Sequence, residues 1–348
     1  MNLVGPSDLS DRVFGPVPPV TIPVGGRGAG TTLPGVPVAE RFAAVAARVN
    51  NWGRWGDEDQ RGTLNLIGEA ARRRAATCVR TGEAFALGLP LSEHEGIQIG
   101  LVPGRSNPVR TMVAVNQPLS DDPGWICSSE DSVTMALQAA THWDALAHVS
   151  YGGRLYNGRP ASSVTDAGAA WGAIDALGTL VTRGILLDVA RAVGAEFLTP
   201  GYPIGPGDLD AALALAGLEV EPGDCLLVRT GQMHHLDGGR SEQALFDYAF
   251  PAPGLTMGCA EWFHARDVAA VATDTLSLEV IPGEDEAIYL PVHLLHLVEM
   301  GMTQGQNFVL DPLAEACARD GVYSFFLDAT PLPFTAGLGS PVNPVAVR

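Results

Sequence analysis

The sequence predicts a single mixed α/β domain preceded by an extended N-terminal arm. Residues 1–40 hold seven prolines and seven glycines, a composition that breaks helices and central strands and leaves an extended segment lying over the surface. After it, stretches with apolar residues at helical spacing alternate with short apolar runs of strand length, the pattern of an α/β fold. No motif recurs at a fixed period, which excludes solenoids and propellers. The arm is therefore taken as residues 1–40 and the domain as 41–348.

Within the arm, "GGRGAGTT" (Gly25 to Thr32) imitates a phosphate loop, but the lysine is absent and no apolar strand leads into it, so it is read as a plain glycine-rich loop. "AERFAAVAARV" (Ala39 to Val49) and "GEAARRRAATCVRTG" (Gly68 to Gly82) read as covering helices, the second closing at glycine. "AFALGLPL", "RTMVAVNQ", "GILLDVA", "CLLVRTG" and "VAAVATD" read as strands, with "DLDAALALAGL" and "AEWFHARDV" as helices between them.

Charge narrows the partners. With 39 Asp and Glu against 21 Lys and Arg, the formal charge of -18 repels a nucleic-acid backbone. No run approaches the roughly 18 uninterrupted apolar residues of a membrane span, and the N-terminus lacks the basic and apolar regions of a secretory signal. A soluble cytoplasmic protein acting on a small molecule is expected. Its five cysteines are widely spaced without a C-x-x-C pair, as expected for reduced, mostly buried thiols.

The densest chemistry lies in "QAATHWDALAH" (Gln138 to His148). Gln138, His142, Asp144 and His148 share one numerical parity, so an extended backbone aims all four at one face, whereas a helix would fan them apart. Imidazole nitrogen, carboxylate oxygen and a neutral amide oxygen are ligands for Zn²⁺ or Mn²⁺. His148 is placed to carry protons beside such an ion. A lone H-x-D is more simply read as histidines bonded to backbone in a half-buried strand. Four polar groups on one face among alanines and leucines would each cost about 1–3 kcal/mol if buried without partners, which makes a shared partner the economical reading. Trp143, of opposite parity, is expected to pack behind the site.

Elsewhere, Trp52, Arg54 and Trp55 in a glycine-punctuated loop, and Tyr151 and Tyr156 just after His148, are candidates for a substrate wall; a purely structural plug is an equal reading for the tryptophans. No G-x-S-x-G elbow and no activated cysteine context appears, so covalent catalysis is disfavoured.

The stretch resembles the H-x-G-T-H-x-D-x-P-x-H signature of the cyclase family that includes bacterial kynurenine formamidase and isatin hydrolase. "NNWGRWGDEDQRGTLNLI", "YGGRLYNG", "GILLDVAR", "GDCLLVRTG" and "PLPFTAGLGSPVNPVAV" extend the likeness toward a longer-chain branch containing trans-dienelactone hydrolase. The resemblance implies the family's swivelling β/β/α fold and a homo-oligomer, dimer or tetramer. It also implies metal ligation by His142 and Asp144 and proton shuttling by His148. Gln138 stands where the family's first histidine would be, and Leu146 where many members have proline. His293 matches a histidine of the family's dinuclear centre, while Gln306 replaces its glutamate. Loss of that bridging carboxylate implies one ion, held by Gln138, His142 and Asp144, with His293 and Gln306 as outer ligands or substrate contacts. His293 and His296 also have the plainer reading of covering their helix.

The function so implied is a metal-dependent hydrolase that opens a small cyclic ester or amide through a metal-activated water. A cyclase or dehydratase lyase acting on a biosynthetic intermediate and a non-catalytic small-molecule binding protein are the alternatives.

Overall fold

Runs that are apolar at nearly every position become the middle of the sheet, because a strand covered on both faces has no solvent side to keep polar. The computed structural model describes residues 38–102, 104–122, 124–284 and 288–348. Except for residues 38–40, the proline-rich arm lies outside the described residues, and Gly25 to Thr32 with it.

Among the described residues, nine strands form one mixed sheet. They are β1 (Ala84–Ala86), β2 (His142–Asp144), β3 (Val181–Asp188), β4 (Cys225–Arg229), β5 (Ala270–Thr273), β6 (Gln304–Gln306), β7 (Ser324–Asp328), β8 (Gly339–Pro341) and β9 (Val345–Val347). Their spatial order is β1-β9-β7-β3-β4-β5-β6-β2-β8. The middle strands β3, β4, β5 and β6 run parallel, and antiparallel pairs close both sides. The expected mixed α/β domain of the cyclase type is the fold found.

Alternation divides the core. Leu186, Leu227, Ala270 and Ala272 point to one side, packing with Leu64, Ile67, Leu313 and Cys317. Ile185, Leu187, Leu226, Val228 and Val271 point to the other, beneath the helices Val38–Val49, Pro206–Ala216 and Met257–His264. Each fully buried aliphatic side chain contributes about 1.5–3 kcal/mol, so these central strands hold the molecule together. The first helix follows its spacing, burying Phe42, Val45, Ala46 and Val49. No helix of the described residues is long and apolar enough to cross a membrane.

Three elements differ from their sequence expectations. The second helix covers only Glu69–Ala76, because Thr77 turns its hydroxyl back onto Arg74 O at 2.7 Å and closes the last turn. "AFALGLPL" keeps only β1 as strand; the chain then leaves the sheet, with Leu89 N bonding to the Thr141 hydroxyl at 2.8 Å. "RTMVAVNQ" is a strand, Val109–Pro118, but outside the main sheet: it pairs with Cys127–Thr134 in a separate hairpin with Val113 and Val115 exposed. Cys78, Cys225, Cys259 and Cys317 are buried as expected, and Cys127 on the hairpin is exposed.

At the end of β5, buried Asp274 ties the sheet to the chain leaving β4. It accepts hydrogen bonds from Thr230 N (2.9 Å), Thr230 Oγ1 (2.7 Å) and Gly231 N (2.8 Å). Burial outweighs these bonds and pushes its carboxyl up to about 6 from an ordinary 3.8. A raised folded value favours the protonated form, so the stability Asp274 contributes is complete below about pH 3.8 and lost as pH rises through 6. Urea unfolding of wild type against Asp274→Asn should show wild type losing about 2 kcal/mol relative to the variant from pH 4 to pH 7. A pH-independent difference would mean that Asp274 is ionised in the folded protein.

Candidate functional site

Strand β2 is three residues long and is held on both edges, Gln306 opposite His142 on one side and Gly339 opposite Asp144 on the other. The pleat sends His142 and Asp144 to one face and Trp143 to the other. Trp143 is fully buried there, donating from Nε1 to Ala329 O at 2.8 Å and meeting Phe308 edge-on with ring centroids 5.3 Å apart. Glycine at 305 permits this packing, since a Cβ at that position would lie 2.6 Å from Phe308 and 3.0 Å from Trp143.

The extended backbone does not reach from Gln138 to His148. Its partners β6 and β8 are each three residues long, so past Asp144 there is no ladder. Turns close on both sides, through Ala139 N to Ala136 O and His148 N to Ala145 O. The second turn still brings His148 back: its Nε2 lies 3.7 Å from Asp144 Oδ1. Gln138 lies in the first turn, donating from Nε2 to Leu338 O at 3.2 Å. Among the described residues it makes no hydrogen bond to His142 or Asp144.

Asp144 is the hub. Its Oδ2 accepts from Gln306 Nε2 at 2.9 Å and Gln304 Nε2 at 3.3 Å. Its Oδ1 is buried with no hydrogen-bond partner, and so is His142 Nε2, 3.5 Å away. His142 Nδ1 lies 2.7 Å from Ala140 O, an acceptor, which puts the ring proton on Nδ1 and leaves the Nε2 lone pair facing the carboxylate. His293 approaches from the helix that begins at Pro291, its Nε2 4.0 Å from Asp144 Oδ2 and 3.4 Å from Gln306 Nε2. Glu279 holds this histidine through the ring Nδ1 and accepts the backbone N–H groups of Val292 (3.1 Å) and His293 (3.0 Å). Behind it, His296 Nδ1 donates to Gln304 Oε1 at 3.1 Å, so the Gln304 amide nitrogen faces Asp144.

The charges follow from this crowding. Burial alone would raise Asp144, but His148, His142 and His293 outweigh it and hold the carboxyl well below the usual range. Asp144 raises His148, yet burial together with His293, His142 and Arg105 brings it down on balance. Burial lowers His293, and the hydrogen bond and charge of Glu279 more than reverse this. Burial and the neighbouring His293 take His296 down to about 3.

Two unpartnered donors of opposite chemistry, a neutral imidazole nitrogen and a carboxylate oxygen, facing each other in a buried site fit a divalent cation. Among the described residues no group of three or more His, Cys, Asp and Glu side chains is arranged to hold one. The Gln306 amide turns its N–H groups toward the Oδ2 side of Asp144.

The aromatic candidates are held by other partners. Trp52 donates from Nε1 to Val298 O at 2.7 Å and lines an open cleft of about 560 Å³ with Asp57, Glu58, Asn157 and Arg159. No residue around Asp144 lines that cleft. Arg54 binds Asp267 at 2.7 Å and lies over the half-buried Trp55 ring. Tyr156 is fully buried and donates to Asp59 Oδ2 at 3.1 Å, packed in the core and lining no surface. Tyr151 donates to Glu299, which also accepts from Asn50. Glu299 sits on a π-helical segment, Leu294–Met300.

Two site residues escaped the sequence reading, Gln304 and Glu279. Gln304 shares parity with Gln306 across one glycine, a usable signal. His296 reads as helix cover or as a site residue alike. Glu279 reaches the site from a loop and has no local signature.

A nine-stranded mixed sheet carrying an H-x-D strand beside its edge defines a recognisable class, and comparison places the chain within it. The Cyclase family profile matches residues 59–280, well over half of the sequence. This protein belongs to the Cyclase family. A solved structure described as a novel cyclase is 36% identical, covers 87% of this chain and 99% of its own, and superposes with a TM-score of 0.79. Isatin hydrolase A from Labrenzia aggregata, bound to benzyl benzoate, is 19% identical and covers 78% of this chain and 94% of its own, with a TM-score of 0.55. An isatin hydrolase bound to the product analogue thioisatinate is 17% identical over 81% of this chain and 97% of its own, with a TM-score of 0.57. These two share the fold. No curated protein matches the sequence.

The Gln306 amide yields a prediction. Wild type should saturate at one divalent ion per chain, whereas Gln306→Glu, which places a carboxylate beside Asp144 Oδ2 and His293 Nε2, should take up a second. Elemental analysis of both proteins after loading with Mn²⁺ or Zn²⁺ measures this. A variant that still saturates at one ion would show that the Oδ2 side is closed to metal.

Proposed function

We propose that this chain is a metal-dependent hydrolase that opens a small cyclic ester or amide, using one divalent ion, Mn²⁺ or Zn²⁺. The observation that carries the proposal is the buried pair His142 Nε2 and Asp144 Oδ1, both without a hydrogen-bond partner and 3.5 Å apart. His142 and Asp144 would hold the ion, with the Gln138 amide oxygen as a third, neutral donor. A divalent ion bound there supplies Lewis acidity, polarising a substrate carbonyl and lowering the pKa of a water.

The protein's own groups do the rest. Gln304 and Gln306 hold the Asp144 carboxylate in one orientation, and His296 holds Gln304. Glu279 does the same for His293. His148 is 23% exposed at its side chain, against 1% for His142 and Asp144, so it reaches both the site and solvent. It takes a proton from the attacking water and returns it to the departing oxygen or nitrogen. The isatin hydrolases with the same fold support ring opening as the reaction class. The lactone-opening branch of the family is the branch proposed for this chain, and assembly as a dimer or tetramer is proposed with it.

The family's name and the 36% identical cyclase favour one second reading, a lyase that closes or dehydrates a ring at the same site. Turnover in ¹⁸O-water separates the two: hydrolysis puts solvent oxygen into the product carboxylate.

Chelation should abolish hydrolysis of lactones, cyclic imides or N-formyl aromatics, and Mn²⁺ or Zn²⁺ should restore it. His148→Ala should keep its metal and lose about 10²- to 10⁴-fold in kcat, the usual worth of a general acid–base group. Full activity in that variant would remove His148 from the mechanism, and full activity after verified metal removal would sink the metal-dependent reading.

A further inference from the structure

We infer that Asn307, aimed by Tyr248, is a positioning residue of this site: it pins the Ala140 carbonyl that keeps the His142 ring proton on Nδ1, and so keeps Nε2 bare toward Asp144. The use made of a bare Nε2 rests on the metal-dependent reading proposed above. The tautomer itself does not.

His142 and Asp144 have a simple way to satisfy each other. Nε2 and Oδ1 are both buried, both without a hydrogen-bond partner, and 3.5 Å apart. Moving the ring proton from Nδ1 to Nε2 would turn the facing pair into a hydrogen bond and relieve the cost of two unpaired buried atoms. The proton must therefore be held on the other nitrogen. Ala140 O does this directly, 2.7 Å from Nδ1. That carbonyl lies in the turn before β2, outside the ladder. If its peptide turned over, the Thr141 N–H would face the ring in its place and send the proton to Nε2.

Asn307 opposes that rotation from two atoms. Its Nδ2 donates to Ala140 O at 3.1 Å, and its backbone O accepts the Thr141 hydroxyl at 2.5 Å, which ties both residues of the turn to the end of β6. Asn307 is fully buried with φ at 61°, a left-handed value that asparagine adopts more readily than most residues. Its own N–H is fixed on Thr275 O at 3.0 Å. A side-chain amide fits either way round, and Tyr248 decides which. The buried Tyr248 hydroxyl donates to Asn307 Oδ1 at 2.7 Å, leaving Nδ2 for Ala140. Burial pushes this hydroxyl well above the usual phenol range, so it stays a donor. Tyr248 belongs to the helix Glu242–Ala249, and Gln232 Nε2 holds its backbone O at 2.9 Å. The line of contacts thus runs from a helix outside the site to the ring of His142.

The test reads the ring directly. Long-range ¹H–¹⁵N correlation on ¹⁵N-histidine-labelled, metal-free protein at alkaline pH shows which nitrogen of each ring carries the proton. The chain has eight histidines, so His142 is identified as the signal missing from His142→Gln. Wild type should carry the His142 proton on Nδ1. Asn307→Gly, which accepts the same left-handed backbone but has no amide, should move most of it to Nε2, and Tyr248→Phe should give a mixture. Zn²⁺ affinity, measured by competition with a chelator, should fall about 10- to 100-fold in Asn307→Gly, the usual loss when the support behind a ligand histidine is removed. Thermal unfolding checks folding, and if Asn307→Gly does not fold, Tyr248→Phe decides. A purely structural Asn307 would lower the unfolding temperature and leave the proton on Nδ1. That result, or a wild-type proton on Nε2, overturns the inference whatever the metal affinity. Movement in Asn307→Gly without movement in Tyr248→Phe overturns the part given to Tyr248. A proton that moves in the variants of a wild type that takes up no Zn²⁺ keeps Asn307 and sinks the metal reading.

Discussion

The site depends on one carboxylate whose two oxygens are treated differently. Asp144 Oδ2 is capped by two amide donors, and Oδ1 is kept bare opposite an imidazole lone pair. Leaving a buried polar atom unpaired costs about 1–3 kcal/mol, and this site leaves two of them. The core bears that cost: strands buried on both faces, with apolar layers on each side, give the molecule stability to spare for a strained polar centre. Capping one oxygen also steers a cation to the other, since an oxygen surrounded by N–H groups is a poor metal ligand.

Much of this was legible in the sequence where the argument was local. Parity alone predicted that His142 and Asp144 share a face and that Trp143 packs behind them, because a pleat needs only three residues to impose it. The same rule failed at Gln138 and His148, since strand length is set by the partners, and β6 and β8 are too short to keep the chain extended. His148 faces Asp144 through a turn, a route that residue spacing does not encode.

What was not legible came from distance. Glu279 reaches His293 from another loop that carries no motif. Tyr156 looked like a cleft residue because it follows His148 closely in sequence, but the fold buries it against Gly301, where a Cβ would meet its ring at 2.4 Å. Trp52 and its neighbours gather around a cleft that the Asp144 residues do not line, so nearness in the chain and nearness in space part company here. The fold class survived these errors because it rests on many apolar positions acting together.

The winding of Leu294–Met300 has a consequence of its own. A π-helical turn holds one residue more than an α-turn, so the direction in which Glu299 points, toward Tyr151 and Asn50, depends on the backbone count as well as on the side chain. Removing a single apolar residue from this stretch and letting it relax to ordinary winding would swing the carboxylate off its partners without touching any polar group. In this chain the register of a leucine-rich segment, and not only its polar residues, sets where the Glu299 carboxylate points.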